Sequence, residues 1–184
     1  MDPTPSAEQA IEATRRWLER AVIGLNLCPF AKAVHKKGQI RFVVSEAEQP
    51  LQLHDELVRE LRLLRDTDAE TVDTTLLIHP RVLADFMDFN EFLEIADDTV
   101  AELSLDGEIQ VASFHPDFQF EGTAPDDITN YTNRSPYPTL HLLREASIDR
   151  AVAAFPDASA IFEANMDTLD KLGHEGWLAL FPDP

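Results

Sequence analysis

The sequence of 184 residues is poor in cysteine and has no long hydrophobic segment. Its single cysteine, Cys28, excludes an internal disulfide framework and is typical of a reducing compartment. No apolar run approaches the roughly 18 residues that a membrane span requires, and the polar N-terminal residues lack a signal-peptide core. These absences predict a cytoplasmic protein that has no membrane partner.

Positive charge is also scarce, with 15 Lys and Arg against 34 Asp and Glu and a formal net charge of −19. Nucleic acid is therefore not an expected partner, because phosphate binding is driven mainly by Lys and Arg. No Lys or Arg lies between Arg81 and Arg134. Such asymmetry is typical either of a binding face or of a solvated acidic surface that keeps a protein soluble, and the second interpretation is the simpler one.

Glycine is present at only six positions, and none of the glycine-rich nucleotide-binding motifs occurs. The sequence has no P-loop, no G-x-G-x-x-G and no G-x-S-x-G. Nucleotide binding through those loops is excluded.

Three short apolar runs, at residues 39–44, 74–78 and 109–114, are rich in β-branched and aromatic residues and predict strands. Amphipathic patterns at residues 51–64 and 82–103 predict helices between them. This alternation predicts a β-α-β-α-β core in one α/β domain that covers the whole chain, with a small, largely parallel sheet flanked by helices.

Further helices are expected on both sides of this core, and an N-terminal pair is expected to pack across the sheet. The predicted helices are residues 7–25, with Ser6 and Gln9 as a capping box, and then 29–37, 138–154 and 158–172. Residues 177–181 are expected to form an edge strand or to cap the core. Residues 1–6 and 182–184 are expected to be frayed tails. Residues 116–138 form a long loop, and loops of that length are usually functional or disordered.

Cys28 is the first candidate for chemistry. If it is the N-cap of the helix that begins at Pro29, its sulfur faces the positive end of the helix dipole, and Lys32 and Lys36 follow. These features depress the pKa of a thiol. The alternative is a small buried side chain without reactivity.

Two predicted strands are each followed by a His-Pro dipeptide, which begins at His79 in one and at His115 in the other. If these strands are parallel neighbours, both imidazoles lie at the carboxyl edge of the sheet, where open α/β folds bind ligands. A strand-capping role is the alternative, and we favour it for His79. For His115 we favour function, because Asp117 follows and can fix the tautomer of the ring.

Residues 133–144 give the strongest local signal. Arg134 precedes the predicted helix start at Pro138, where free N–H groups attract anions, and its guanidinium suits a carboxylate or phosphate. His141 and Arg144, three residues apart, would share one helical face. Alternatively, Arg134 holds the loop through backbone carbonyls or through Asp126 and Asp127, and Arg144 pairs with surface carboxylates. Asn133 belongs to the same segment. If a metal is bound, the candidate ligands are His79, His115, His141, Cys28 and Asp117, but they do not fall at recognised ligand spacings, so no metal or cofactor is predicted.

Three motifs resemble those of a bacterial family of uncharacterised proteins that is catalogued as a domain of unknown function. We name them the cysteine motif (LCPFA, residues 27–31), the histidine motif (FHPDFQF, residues 114–120) and the arginine motif (NRSPYP, residues 133–138, followed by His141 and Arg144). The resemblance covers nearly the whole chain. It implies no activity, cofactor or partner.

The leading hypothesis is a small enzyme that acts on a small anionic metabolite. Cys28 would be the nucleophile and His115 the general base oriented by Asp117. The substrate would be bound by Asn133, Arg134, His141 and Arg144. The alternatives are a non-catalytic module that senses an anion or docks a partner on its acidic surface, and a metal-dependent hydrolase. The oligomeric state stays open, because the predicted helices can bury a dimer seam as easily as a monomer core.

Overall fold

A computed structural model describes residues 4–154 and 157–182. The described residues form a four-stranded sheet in the order β1-β2-β4-β3. All three predicted strands are confirmed, and β4 is an addition to them. The strands are β1 (Ile40–Val44), β2 (Thr74–Ile78), β3 (Ile109–Phe114) and β4 (Thr139–Arg144).

The sheet is mixed, so the prediction of a largely parallel sheet is wrong. β1 and β2 are parallel, but β4 lies between β2 and β3 and is antiparallel to both. The helix predicted at residues 138–154 is wrong for Thr139–Arg144, which form β4. Leu140 and Leu142 are fully buried in the same core and His141 between them is less buried, a two-residue spacing that fits a strand rather than a helix.

The helices otherwise follow the amphipathic patterns. Ser6 begins α1 with the predicted capping box, and after Trp17 the helix continues as the π-helical turn Leu18–Ile23. Ser6 of the predicted N-terminal tail is therefore ordered as the N-cap of α1. Residues 1–3 and 183–184 of the predicted tails lie outside the described residues. The α-helices are α1 (Ala7–Trp17), α2 (Ala31–Lys36), α3 (Pro50–Asp66), α4 (Phe86–Glu102), α5 (Glu145–Ala154) and α6 (Ala158–Ala179).

One face of the sheet packs against α3 and α4 and forms what we call the first core. Leu53, Leu57, Leu61 and Leu64 recur at three- and four-residue steps along α3 and are fully buried. They meet Leu77 of β2 and the two buried leucines of β4. The crossover between β1 and β2 is therefore a helix whose apolar stripe covers the sheet.

The other face of the sheet packs against the N-terminal helices, as predicted, and forms the second core. Trp17 lies edge-on against Phe114 of β3, with ring centroids 5.0 Å apart. Trp177 is buried in this core as part of α6, which is broken at Gly173 (φ 65°) but remains helical to residue 179. Residues 177–181 therefore cap the core, and the alternative of an edge strand is wrong.

The long loop from residue 116 to residue 138 is ordered around one buried amide. Asn130 is fully buried, its Oδ1 accepts from the N–H of Phe120 at 2.9 Å, and its Nδ2 donates to the carbonyl oxygen of Ala124 at 2.9 Å. Asn130 belongs to a 3-10 helix, Ile128–Asn133, which lies within the loop and contacts α6. The loop is thus a packed part of the structure.

Candidate functional site

Cys28 lies in the turn between the π-helical turn and α2. Its N–H donates to the carbonyl oxygen of Val22 at 3.4 Å, and its own carbonyl oxygen accepts from the N–H of Ala31 at 3.3 Å. α2 begins at Ala31 with Phe30 as N-cap, so Cys28 is not the N-cap and the helix does not begin at Pro29 as predicted. The half-buried side chain packs against the second core.

His115 is fully buried at the end of β3, and both of its ring nitrogens are hydrogen-bonded to backbone. Nδ1 accepts from the N–H of Asp117 at 3.0 Å. The proton is therefore on Nε2, which donates to the carbonyl oxygen of Leu83 at 3.1 Å. Burial lowers the pKa of His115, so the ring is neutral near pH 7.

The backbone N–H of Asp117, and not its carboxylate, donates to Nδ1 of His115 and fixes the tautomer of the ring. The side chain of Asp117 is exposed to solvent. The lone pair that a general base needs is occupied in this arrangement, because Nδ1 already accepts a hydrogen bond.

His79 occupies the equivalent place at the end of β2. Its Nδ1 donates to the carbonyl oxygen of Val82 at 2.9 Å, and burial lowers its pKa to about 4. Its Nε2 is buried and without a hydrogen-bond partner among the described residues. Leu83, which accepts from His115, has a φ of 60° that is unusual for a side chain of its size. The two histidines therefore hold the strained turn that leads into α4.

Arg134 is bound to backbone carbonyls. Its Nε donates to the carbonyl oxygen of Phe118 at 3.0 Å, and its Nη2 donates to that of Pro125. Its guanidinium also lies over the ring of Tyr131, 4.5 Å from the centroid. Asn133 beside it donates from Nδ2 to the carbonyl oxygen of Ser113 at 3.2 Å. These contacts match the alternative in which Arg134 ties down the loop.

His141 and Arg144 lie on β4 and not on a helix, so they point to opposite faces of the sheet. His141 contacts the hydroxyl of Thr74 through Nε2 at 2.6 Å, and burial lowers its pKa to about 4. Arg144 donates from Nη2 to the carbonyl oxygens of Leu64 and Thr67 at 2.8 and 2.7 Å. It thereby satisfies backbone groups at the C-terminal end of α3.

The structure brings the histidine and arginine motifs together, and Cys28 shares the second core with Phe114 of the histidine motif but not with the ring of His115. The N–H of His115 donates to the carbonyl oxygen of Asn133 at 3.1 Å. The ring of His115 contacts Phe89 of the first core, whereas Cys28 packs against the second core on the other face of the sheet. Arg144 is the last residue of β4, whereas Arg134 precedes the first, so the two arginines lie at opposite ends of a strand about 17 Å long. Within the described residues, no three His, Cys, Asp or Glu side chains are arranged to hold a metal ion.

An aromatic row leads from His115 to the surface. The ring of Phe86 lies 5.4 Å from that of His115, and Phe118, Phe120 and Phe162 continue the row at centroid distances of 5.3, 4.9 and 6.4 Å. Where the row emerges, α4 and the long loop enclose an open groove of about 430 Å³. We call this the aromatic groove; its lining residues are Phe86, Met87, Asn90, Gln119, Phe120, Glu121 and Gly122.

Sequence reasoning did not single out this groove. The available signals were the two phenylalanines of the histidine motif at residues 118 and 120 and the absence of Lys and Arg between residues 81 and 134. Which part of α4 faces the loop depends on tertiary packing, so the groove itself was not predictable.

Comparison with known proteins places the chain in a family. The family described as "Protein of unknown function (DUF1415)" matches residues 9–179. The chain belongs to this family. The match confirms the resemblance to a domain of unknown function that the three motifs indicated, and DUF1415 carries no assigned activity. Searches of curated proteins and of solved structures found no significant match. No helix within residues 4–154 and 157–182 has the length and apolar character that a membrane crossing needs.

Proposed function

We propose that this DUF1415 protein is a non-catalytic protein-binding module, and that its aromatic groove holds a partner segment that is both basic and apolar. The observation that carries this proposal is a groove with aromatic and methionine walls in a part of the chain that has acidic side chains and no Lys or Arg. Apolar pockets with a few polar groups are the usual form of a peptide- or ligand-binding site.

The exposed apolar surface at the groove supports a binding role. Met87 is 63% exposed on one wall, and Phe162, which contacts Phe120 of the other wall, is 52% exposed. Burying such side chains against a partner gains roughly 25 cal/mol per Å² of apolar surface. Clustered exposed apolar residues rimmed by polar ones are typical of interaction sites.

The charge around the groove favours a cationic partner over an anionic metabolite. Glu121 lines the groove, and Asp88 and Glu91 are exposed on the first turns of α4. Arg134 and Arg144, the proposed anion clamp, already donate to backbone carbonyls. An anion in the groove would therefore meet carboxylates without a free guanidinium from either residue.

The groove also lacks the groups that nucleophilic or acid–base catalysis by cysteine or histidine needs. Its lining contains neither a cysteine nor a histidine. Its amides can accept hydrogen bonds from a peptide: Gln119 uses Nε2 to donate to the carbonyl oxygen of Thr123 at 2.6 Å, which leaves Oε1 as an acceptor, and Asn90 is exposed on the opposite wall. This combination suits recognition rather than chemistry.

Fluorescence anisotropy with labelled dodecapeptides tests the proposal. The probe is three repeats of Lys-Leu-Lys-Phe; three repeats of Glu-Leu-Glu-Phe test the charge requirement, and three repeats of Lys-Ser-Lys-Ser test the apolar requirement. We expect the first peptide to bind at least about tenfold more tightly than either of the others, a difference of about 1.4 kcal/mol.

A matched pair of variants locates the binding site. Met87→Lys places a cation in the aromatic groove, whereas Leu51→Lys places one at a similarly exposed apolar position, 73% exposed, on α3. We expect the first variant to weaken peptide binding about tenfold and the second to change it little. Equal weakening by both variants, or equal affinity for all three peptides, would show general attraction to an acidic surface and would overturn the proposal.

A further inference from the structure

β1 is an edge strand whose outer backbone groups are unpaired. On its inner side, the N–H of Ser45 donates to the carbonyl oxygen of Ile78, and the carbonyl oxygen of Gln39 accepts from the N–H of Thr74. Because backbone groups alternate in direction along a strand, the N–H and C=O groups of the even-numbered residues face outward. These residues are Ile40, Phe42 and Val44, and their outward groups have no partner among the described residues.

The opposite edge of the sheet, formed by β3, differs from β1 because some of its outward backbone groups are hydrogen-bonded. On β3, the N–H of Ile109 donates to the carbonyl oxygen of Leu105 at 3.0 Å. The carbonyl oxygen of Ser113 accepts from Nδ2 of Asn133 at 3.2 Å. The described residues thus satisfy outward groups at both ends of β3 but none of those on β1.

β1 also lacks the features by which proteins prevent edge pairing, such as proline, an outward lysine or a bulge. Its one charged residue, Arg41, makes a two-pronged hydrogen bond to the carboxylate of Glu60 at 2.9 and 3.1 Å. The guanidinium is therefore held against α3 and does not guard the edge. The other residues of β1 are apolar, and the strand ends in two β-branched valines, which favour strand pairing.

We infer that β1 pairs with β1 of a second copy of this chain, antiparallel and centred on Phe42. In this register Phe42 lies opposite the partner's Phe42, and Ile40 lies opposite the partner's Val44. Only a register that pairs even-numbered residues with even-numbered ones uses the outward groups, and this one uses all six donors. The two sheets become one continuous sheet across a two-fold axis.

The charges that flank β1 favour a second copy as the occupant. Lys36 and Lys37 lie just before the strand, and Glu46 and Glu48 lie just after it; all four are exposed. A two-fold axis at Phe42 brings the lysines of each copy toward the glutamates of the other, so the surface is self-complementary. A parallel pairing of two copies would instead bring lysines beside lysines and glutamates beside glutamates.

Sedimentation equilibrium at about 0.15 M salt, where charges are screened beyond about 8 Å, tests this inference. The double variants Lys36→Glu/Lys37→Glu and Glu46→Lys/Glu48→Lys each create like-charge contacts, and we expect each to weaken dimerisation at least about tenfold. A mixture of the two double variants is expected to form heterodimers, and the quadruple variant is expected to dimerise like the wild type. A wild-type chain that stays monomeric up to about 1 mM, or dimers that both double variants leave unchanged, would overturn the inference.

A backbone variant provides a second test that does not depend on charge. Val44→Pro removes an outward N–H and leaves the β1–β2 hydrogen bonds intact, since proline is tolerated where the N–H faces solvent. Val44→Ala also reduces the side-chain volume, as Val44→Pro does, but it keeps the backbone N–H. It is therefore the matched control. We expect the proline variant alone to be monomeric and the amide of Phe42 to exchange more slowly as wild-type concentration rises. Equal dimerisation by both variants would contradict the strand pairing.

Discussion

The guanidinium of Arg134 donates from Nε to the carbonyl oxygen of Phe118 at 3.0 Å. This bond joins the arginine motif to the histidine motif, and it positions the part of the loop that carries Phe118 and Phe120 toward the aromatic groove. A residue that the sequence presents as an anion ligand is thus used to hold a loop. Hydrogen bonds from a charged donor are stronger than neutral ones, which suits a loop with little regular secondary structure.

Arg134→Lys is expected to destabilise the protein by about 2–3 kcal/mol. A lysine cannot reproduce the forked donation to two carbonyls or the stack over Tyr131, and the part-buried carbonyl oxygen of Phe118 loses its charged donor. Urea unfolding measures the loss, with Arg62→Lys on the exposed side of α3 as a control that changes stability by less than about 0.5 kcal/mol. Inorganic phosphate is not expected to stabilise the wild type; a stabilisation that disappears in Arg134→Lys would instead support the anion site.

Arg144→Met is expected to cost about 3 kcal/mol of unfolding free energy. The variant keeps much of the apolar stem but leaves the carbonyl oxygens of Leu64 and Thr67 without their donor at the end of α3. The matched control is Arg150→Met, since the Arg150 side chain is 68% exposed. Chemical denaturation of both variants makes the comparison. Equal effects would mean that the carbonyl contacts of Arg144 contribute little.

The secondary structure was predictable where the local sequence favours the same conformation as the surrounding sheet. β1, β2 and β3 are rich in β-branched residues and are bounded by turns, so their sequences specify strands directly. β4 has the sequence TLHLLR, whose leucines and arginine are good helix formers, and Pro138 before it resembles a helix start. The open position between β2 and β3 decides its conformation, and that position exists only in the assembled sheet.

The segments that carry the motifs were recognisable in the sequence, but neither the contacts of their side chains nor the aromatic groove was predictable. The sequence singled out His115 and Arg134, and the structure joins their segments through neighbouring backbone contacts. What it does not encode locally is the partner of each side chain, because those partners are backbone carbonyls such as that of Leu83, 32 residues away from His115. Any residue type supplies such a carbonyl, so no sequence pattern reveals it.

Acid is expected to destabilise the protein partly through His79. Burial lowers its pKa to about 4 in the folded state, whereas the unfolded chain titrates near 6.5, so the unfolded state binds more protons between these values. Stability therefore falls as the pH drops from about 6.5 to 4, by up to about 3 kcal/mol for this residue. His79→Asn keeps a donor for the carbonyl oxygen of Val82 and removes the titration. Urea unfolding at pH 7 and pH 5 is expected to show a smaller pH dependence in the variant, and an unchanged pH dependence would contradict this assignment.

Alkylation of Cys28 separates the binding module from the enzyme hypothesis. The thiol is half-buried against the second core, so we expect iodoacetamide to react with it more slowly in the native protein than in urea. Cys28→Ala removes a packed side chain and is expected to cost about 1 kcal/mol of stability while leaving peptide binding in the aromatic groove unchanged. Because the chain has one cysteine, the alkylation signal has a single source. Native reactivity with a midpoint well below the reference pKa of about 8.5 would mean an activated thiolate and would return the search for function to the cysteine motif.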